Sequence, residues 1–305
     1  NIIVDDWTFD QIKWDANRIP TETDRAYNAP VGGLSFNYNT TTLYFRPGAK
    51  VGDPVEVIVE PDTGYIKIRN AAKTSKRGTG NALVASREAG NGNDTIVVRG
   101  SLGHGVSEQR SYFNITSPVH YAAAAFQYLL GLKGVKIQGS KVIHDNVPPS
   151  ATLLATLESY PLREIVTLMN KFSNNFIAAT LVKTLARELR GVPGTMEKGL
   201  AVLKEESTSI GVNEGGYKLV SGSGLTRENH VSASQFIRML NSAYLEFDVL
   251  PELLSSFPIA GRDGTLRRRM KGTLAFGKLR GKTGTIDGVS SLVGVVQSKG
   301  GELLA

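Results

Sequence analysis

The chain has 305 residues, of which 41% are hydrophobic and 21% are charged, enough for a buried core and for two or three domains. It contains no cysteine, which excludes disulfides, thiolate metal sites and a cysteine nucleophile. The formal net charge of +7 is typical of proteins that bind an anionic partner, such as nucleic acid or a cell-surface polymer. The densest basic run, 267–271, is most simply a solvated surface patch.

The first third of the chain has the pattern of β-structure. Residues 2–6 predict a strand at the start. Two further strand pairs are each separated by a turn rich in Pro, Gly, Asn or Asp, which favours hairpins. The predicted pairs are 55–59 with 65–69, and 82–86 with 95–99. Residues 1–115 therefore predict a β-rich region.

The pattern changes to helices after Pro118. Helices are predicted at 121–132, from 161, at 175–190, at 195–209 and from Ser232, where Ser-x-x-Gln has the spacing of a capping box. A short strand is predicted at 135–139, and two β-like runs around Gly288 predict a closing antiparallel hairpin. The β-rich region followed by this mainly helical region, 116–305, predicts an α+β fold of two domains.

Several kinds of site are excluded by the sequence. The four histidines are scattered without the spacing of a metal site, so neither a metal nor another cofactor is expected. No Gly-x-Ser-x-Gly nucleophile elbow and no phosphate-binding loop are present. No apolar run approaches the roughly 20 residues that a membrane-spanning helix needs, so no transmembrane segment is expected.

Two short motifs remain as carriers of chemistry. Ser173-Asn174-Asn175 lies at a predicted junction of two helices, and Lys282-Thr283 lies 109 residues after Ser173 on the predicted hairpin, followed by a glycine. A serine at a helix N-cap and a surface lysine before a turn are the plain alternatives. The functional alternative is a binding site for an extended peptide that ends in a carboxylate. Such a site would use the serine hydroxyl and asparagine amide together with the lysine and the threonine, and the glycine would let the peptide backbone come close to the strand.

The amino-acid sequence around these motifs, and at the start of the chain, resembles that of one protein family. Residues 168–178, 221–229, 258–266 and 1–9 are similar to segments of the low-molecular-mass class C penicillin-binding proteins, the D-alanyl-D-alanine carboxypeptidase/endopeptidases of peptidase family S13. The second segment departs from the family pattern, since serine and threonine replace its usual Asp and Ser. The resemblance implies a serine β-lactamase/transpeptidase-like core, helices on an antiparallel sheet, with an inserted β-rich region.

The resemblance also implies an activity. The expected reaction is acyl transfer from D-Ala-D-Ala stem peptides of peptidoglycan to a serine, in the cell envelope (periplasmic or extracytoplasmic), with β-lactam antibiotics as inhibitors. The family's nucleophile lies in a Ser-x-x-Lys motif, which this chain lacks. Residues 180–183 and 195–198 have its spacing but begin with threonine. We therefore expect the chain to begin after the nucleophile and to end before the last core strand.

The same resemblance assigns roles to the polar motif residues. Ser173 relays a proton towards the leaving nitrogen, and Asn175 holds an amide of the substrate. Lys282 raises the local positive potential and, with Thr283, binds the terminal carboxylate.

Four further positions take weaker roles. Gly284 leaves room for the substrate backbone, and the N–H of Thr285 is one donor of the oxyanion hole. Asp5 and Arg269 lie in stretches where the family gathers residues for the side-chain end of the stem peptide.

Two other classes of function stay open at this point. A non-catalytic peptidoglycan-binding protein that keeps the fold fits the basic charge equally well. The hypothesis of a nucleic-acid binder is the weaker one, because it rests on the basic charge alone; it predicts steeply salt-dependent binding. We therefore expect no nucleic-acid partner.

Overall fold

The computed structural model describes residues 1–16, 18–19, 23–139, 141–212 and 216–305. Two compact units are present: residues 1–14 with 22–151, and residues 15–21 with 152–305. The first unit is mainly β and the second mainly helical, which confirms the predicted α+β class. The predicted domain boundary after residue 115 stays a prediction, since a compact unit and an inserted domain are different divisions of a chain.

The described residues of the first unit form four small sheets, with strand orders β3-β2-β9, β4-β7-β6, β5-β8 and β1-β10. Its strands are β1 (Ile2–Val4), β2 (Thr40–Arg46), β3 (Glu56–Glu60), β4 (Ile66–Asn70), β5 (Lys73–Ser75), β6 (Val84–Ala89), β7 (Asp94–Arg99), β8 (Ser101–Gly103), β9 (Gln109–Asn114) and β10 (Val142–His144). In β2, Thr41, Leu43 and Phe45 are buried and alternate with more exposed residues. This period of two places one face of the strand in the core.

The two predicted hairpins have opposite outcomes. β6 and β7 pair antiparallel, from Val84 opposite Arg99 to Ala89 opposite Asp94, so this hairpin is confirmed. The hairpin around 61–64 is wrong, because β3 pairs with β2 whereas β4 pairs in parallel with β7 in another sheet. Turn residues specify a local change of chain direction, and they do not specify the partner of the strand that follows.

A buried carboxylate ties β7 to the rest of the first unit. Asp94 is fully buried and accepts hydrogen bonds from the backbone N–H of Thr116 at 2.8 Å, from the Thr116 hydroxyl and from Tyr65 Oη at 3.2 Å. The Arg87 guanidinium lies 3.8 Å away. Burial, followed by the charge of Asp94, raises the pKa of Tyr65 to about 12. The Tyr65 hydroxyl therefore stays protonated at neutral pH, where it donates to Asp94 and accepts from the Ser117 N–H at 3.1 Å.

Among the described residues of the first unit there is one α-helix, α1 (Pro118–Leu132), which confirms the predicted helix at 121–132 and the prediction of Pro near its start. The strand predicted at 135–139 is wrong. Gly134 and Gly139 have φ of 78° and 92°, a left-handed conformation that interrupts an extended chain. The strand forms instead at β10, which pairs in parallel with β1 and so confirms the predicted strand at the chain start.

The second unit contains five helices among its described residues and a closing sheet. These elements are α2 (Leu162–Phe172), α3 (Asn175–Arg190), α4 (Met196–Ser209), α5 (Ala233–Leu245), α6 (Leu250–Ser256), β11 (Arg280–Ile286), β12 (Val289–Gln297) and β13 (Leu303–Leu304). Ser232 and Gln235 form both hydrogen bonds of a capping box at the start of α5. The predicted helices and the closing hairpin, β11 with β12, are therefore confirmed. None of the described helices combines the length and hydrophobicity that a bilayer span requires.

The contact between α3 and α4 depends on a glycine. A Cβ added at Gly199 of α4 would lie 2.1 Å from the backbone oxygen of Val182 and 2.6 Å from its Cγ1. We expect Gly199→Ala to lower the free energy of unfolding by about 1–3 kcal/mol, because the helices must move apart. Urea denaturation measures the change. Gly131→Ala in α1 is the matched control, since a Cβ there meets nothing within 4 Å. Equal losses in both variants would contradict the packing argument.

Candidate active site

The junction of α2 and α3 presents Ser173 in an unusual backbone conformation. Ser173 follows the last residue of α2 with φ 53° and ψ 50°, the left-handed region, and its N–H bonds to Met169 O. Asn174 caps α3, since its side-chain oxygen accepts from the Ile177 N–H at 3.1 Å. The plain interpretation of Ser173 as an N-cap is therefore wrong. The cap belongs to Asn174, and the Ser173 hydroxyl remains available for other contacts.

The Lys-Thr-Gly motif lies in the middle of β11, where it pairs with β12. Lys282, Thr283 and Gly284 stand opposite Val293, Leu292 and Ser291. The side chain of Thr283 is buried at 9% exposure, whereas its neighbours on the strand are partly exposed. A Cβ at Gly284 would lie 2.5 Å from Ser291 Oγ.

The fold brings the two motifs into direct contact. Lys282 Nζ donates to Ser173 Oγ at 2.6 Å, across 109 residues of sequence, and also donates to the backbone oxygen of Thr283. Because the ammonium has no lone pair, Ser173 can only accept from it. The hydroxyl proton of Ser173 is then free to be donated to a third group. This arrangement can deliver a proton beside a fixed positive charge.

Three further hydrogen bonds surround the motifs. Thr283 Oγ1 donates to Thr265 Oγ1 at 2.7 Å. Lys171, two residues before Ser173, donates to Asp263 Oδ2 and to the backbone oxygen of Phe257, both at 2.7 Å. Sequence reasoning assigned no role to Thr265, Lys171 or Asp263. The available signal was the resemblance of residues 258–266 to the family, which does not say where each side chain points.

The remaining predicted residues are more dispersed. Asn175 is the first residue of α3, and Thr285 is exposed on β11 three residues after Lys282. Arg269 is exposed on a turn, with its N–H bonded to Leu266 O at 2.9 Å.

Asp5 belongs to the first unit, where its carboxylate accepts from the N–H groups of Trp7 and Val147. In the described part of the chain, no three His, Asp or Glu side chains gather as they would around a metal ion.

Burial lowers the pKa of the Lys282 ammonium below its ordinary value. The charged form therefore destabilises the fold at pH values below the pKa of Lys282 in the folded protein. This cost disappears as the pH rises towards the higher pKa of the unfolded chain. We expect the stability of Lys282→Met relative to the unsubstituted protein to fall as the pH is raised from 7 to 11. Thermal melts measure this, and a pH-independent difference would contradict it. Exposed Lys278→Met is the control.

Known proteins share the sequence and the fold of this chain. The family model described as the D-Ala-D-Ala carboxypeptidase 3 (S13) family matches residues 1–305. The chain belongs to the S13 family. This S13 chain is 34% identical to a D-alanyl-D-alanine carboxypeptidase of Actinomadura sp. (strain R39), over 99% of the chain and 55% of that protein. It is 30% identical to the D-alanyl-D-alanine carboxypeptidase DacB of Haemophilus influenzae, over 70% of the chain and 44% of that protein.

Solved structures agree with the family. The crystal structure of penicillin binding protein 4 from Haemophilus influenzae matches the S13 chain with a TM-score of 0.82 at 25% identity, over 99% of this chain and 66% of that one. The same protein complexed with a β-lactam matches with a TM-score of 0.73 at 26% identity, over 92% and 64%. The predicted family and fold are thus confirmed. The chain spans about half the length of the curated relatives that it matches.

Proposed function

We propose that the protein is a penicillin-sensitive serine D-alanyl-D-alanine carboxypeptidase/endopeptidase of the cell envelope, acting on peptidoglycan stem peptides and acylated by β-lactams. The observation that carries the proposal is the 2.6 Å contact between Lys282 Nζ and Ser173 Oγ. It joins the two motifs to which the resemblance assigns the catalytic and carboxylate-binding roles.

The residues of the second unit take complementary parts in this chemistry. A serine nucleophile attacks the carbonyl between the two D-Ala residues, and the peptide bond breaks as an acyl ester forms. Ser173 relays the proton that the attacking serine releases to the leaving nitrogen, while Lys282 holds positive charge beside it. Thr283 donates to the terminal carboxylate of the substrate, and Asn175 holds a substrate amide. Water then hydrolyses the ester and regenerates the serine.

The open edge of the site completes this scheme. Gly284 lets the substrate backbone lie close to β11, and the N–H of Thr285 stabilises the oxyanion. Arg269 is proposed for the side-chain end of the stem peptide. The 305 residues contain no Ser-x-x-Lys sequence.

The release of D-alanine tests the proposal. The full gene product that contains residues 1–305 is incubated with diacetyl-Lys-D-Ala-D-Ala, and free D-alanine is measured with and without penicillin G. We expect release that penicillin abolishes. Binding of peptidoglycan without release would contradict the proposal and favour the non-catalytic alternative.

A further inference from the structure

We infer that Thr265 is a positioning residue for carboxylate recognition, because its hydroxyl controls the direction in which Thr283 donates its proton. The inference rests on the proposed function, in which Thr283 binds the terminal carboxylate of the substrate. It adds a second hydroxyl, from outside the Lys-Thr-Gly motif, to the recognition of that group.

The two hydroxyls form a hydrogen-bonded pair with unequal access to solvent. Thr283 Oγ1 and Thr265 Oγ1 are 2.7 Å apart. Thr283 is buried at 9% exposure, whereas Thr265 is exposed. The buried hydroxyl thus has a fixed partner before any ligand arrives, and that partner lies at the solvent side of the pair.

The backbone around Thr265 is fixed on both sides. Gly264 has φ 53°, and a Cβ there would lie 2.6 Å from the backbone oxygen of Lys171. Leu266 is fully buried on the other side. Asp263 accepts from Lys171 Nζ and from the Ile259 N–H, each at 2.7 Å. Thr265 therefore has a defined position although it is exposed, because the residues on both sides of it are fixed.

The same segment is tied to both motif-bearing elements. Lys171 lies in α2, two residues before Ser173. On the other side, the Gly281 N–H donates to Pro258 O at 3.0 Å, next to Lys282 on β11. Thr265 is therefore held in a constant position relative to the strand that carries Thr283.

Hydroxyl chemistry then explains what Thr265 does. A hydroxyl has one proton and two acceptor sites. Without ligand, Thr283 donates to Thr265. When a carboxylate binds, Thr283 turns its proton to the carboxylate, and Thr265 rotates to donate to Thr283 Oγ1. A hydroxyl that accepts a hydrogen bond is itself a stronger donor. No bond to hydrogen breaks in this rearrangement.

A pair of substrates separates this role from a structural one. The full gene product is assayed with diacetyl-Lys-D-Ala-D-Ala and with the same peptide carrying a C-terminal amide. We expect Thr265→Val to raise KM for the carboxylate substrate about tenfold, the size of one net hydrogen bond. The kcat for that substrate and both constants for the amide should stay unchanged. Thr265→Ser should keep the preference for the carboxylate, because it keeps the hydroxyl.

Thr273→Val is the matched control, since Thr273 is exposed in the same loop and its hydroxyl donates to Met270 O. Three outcomes would each overturn the inference while leaving the proposed function intact. They are an unchanged carboxylate preference in Thr265→Val, equal losses on both substrates, and a Thr265→Ser variant that behaves like Thr265→Val. A full gene product that hydrolyses neither substrate and is not labelled by penicillin would overturn both.

Discussion

Lys282→Ala is expected to slow the acylation of the full gene product by labelled penicillin by about 10²–10³-fold, the usual cost of removing one preorganised electrostatic group from an acyl-transfer site. The substitution removes the ammonium that donates to Ser173 Oγ at 2.6 Å. It also removes the positive charge proposed to attract the ligand carboxylate. The rate constant of labelling, measured by quenched time points and gel fluorescence, reports this effect directly.

Lys278→Ala is the control for this measurement. Lys278 is exposed and lies four residues before Lys282, so the two variants lose the same charge from neighbouring positions. We expect Lys278→Ala to be labelled at the unsubstituted rate. Undiminished labelling of Lys282→Ala would remove Lys282 from the proposed machinery, and an equal slowing in both variants would reduce its effect to long-range charge.

Asp94→Ala is expected to lower the free energy of unfolding by about 3–5 kcal/mol, the range for breaking a buried charged network by removing one partner. The substitution leaves the Thr116 N–H without its acceptor and removes the carboxylate to which the Tyr65 hydroxyl donates. It also leaves the Arg87 guanidinium, whose side chain is 12% exposed, without its carboxylate. Urea denaturation followed by circular dichroism measures the change.

An exposed ion pair from the neighbouring strand provides the comparison. Glu88 lies 3.2 Å from Arg69, with both side chains about half exposed or more. Glu88→Ala should cost about 0–1 kcal/mol, as is usual for surface pairs. If Asp94→Ala cost no more than Glu88→Ala, the network around Asp94 would not be a main support of the first unit.

Local patterns were sufficient to predict the elements of the second unit. The Ser-x-x-Gln spacing at Ser232 and the turn at Gly288 specify hydrogen bonds between near neighbours, so the start of α5 and the closing hairpin followed from the sequence. The Ser-x-Asn junction was also found, because a break between two amphipathic patterns is visible in the residues themselves. The pairing of strands in the first unit could not be predicted in this way. β4 pairs with β7 across almost thirty residues, and this pairing depends on packing between distant parts of the chain.

The candidate site was predictable to the same extent. Its motifs were recognised, but the Lys282–Ser173 contact depends on how β11 packs beside the end of α2. Thr265 was missed because its importance comes from a contact with Thr283 across a turn. That turn is held by Lys171 and Asp263, two charges 92 residues apart. Nothing in the spacing of such residues indicates that they meet.

The left-handed backbone at Ser173 sets stability and activity against each other. A residue with a Cβ in this conformation costs roughly 1–2 kcal/mol, a cost that glycine avoids. Laboratory evolution that selects only for heat resistance should therefore favour glycine at position 173. Selection for reaction with penicillin should keep serine, because the proposed relay needs the hydroxyl. On the proposed function, the protein keeps a weaker fold at this position because the relay needs the serine hydroxyl.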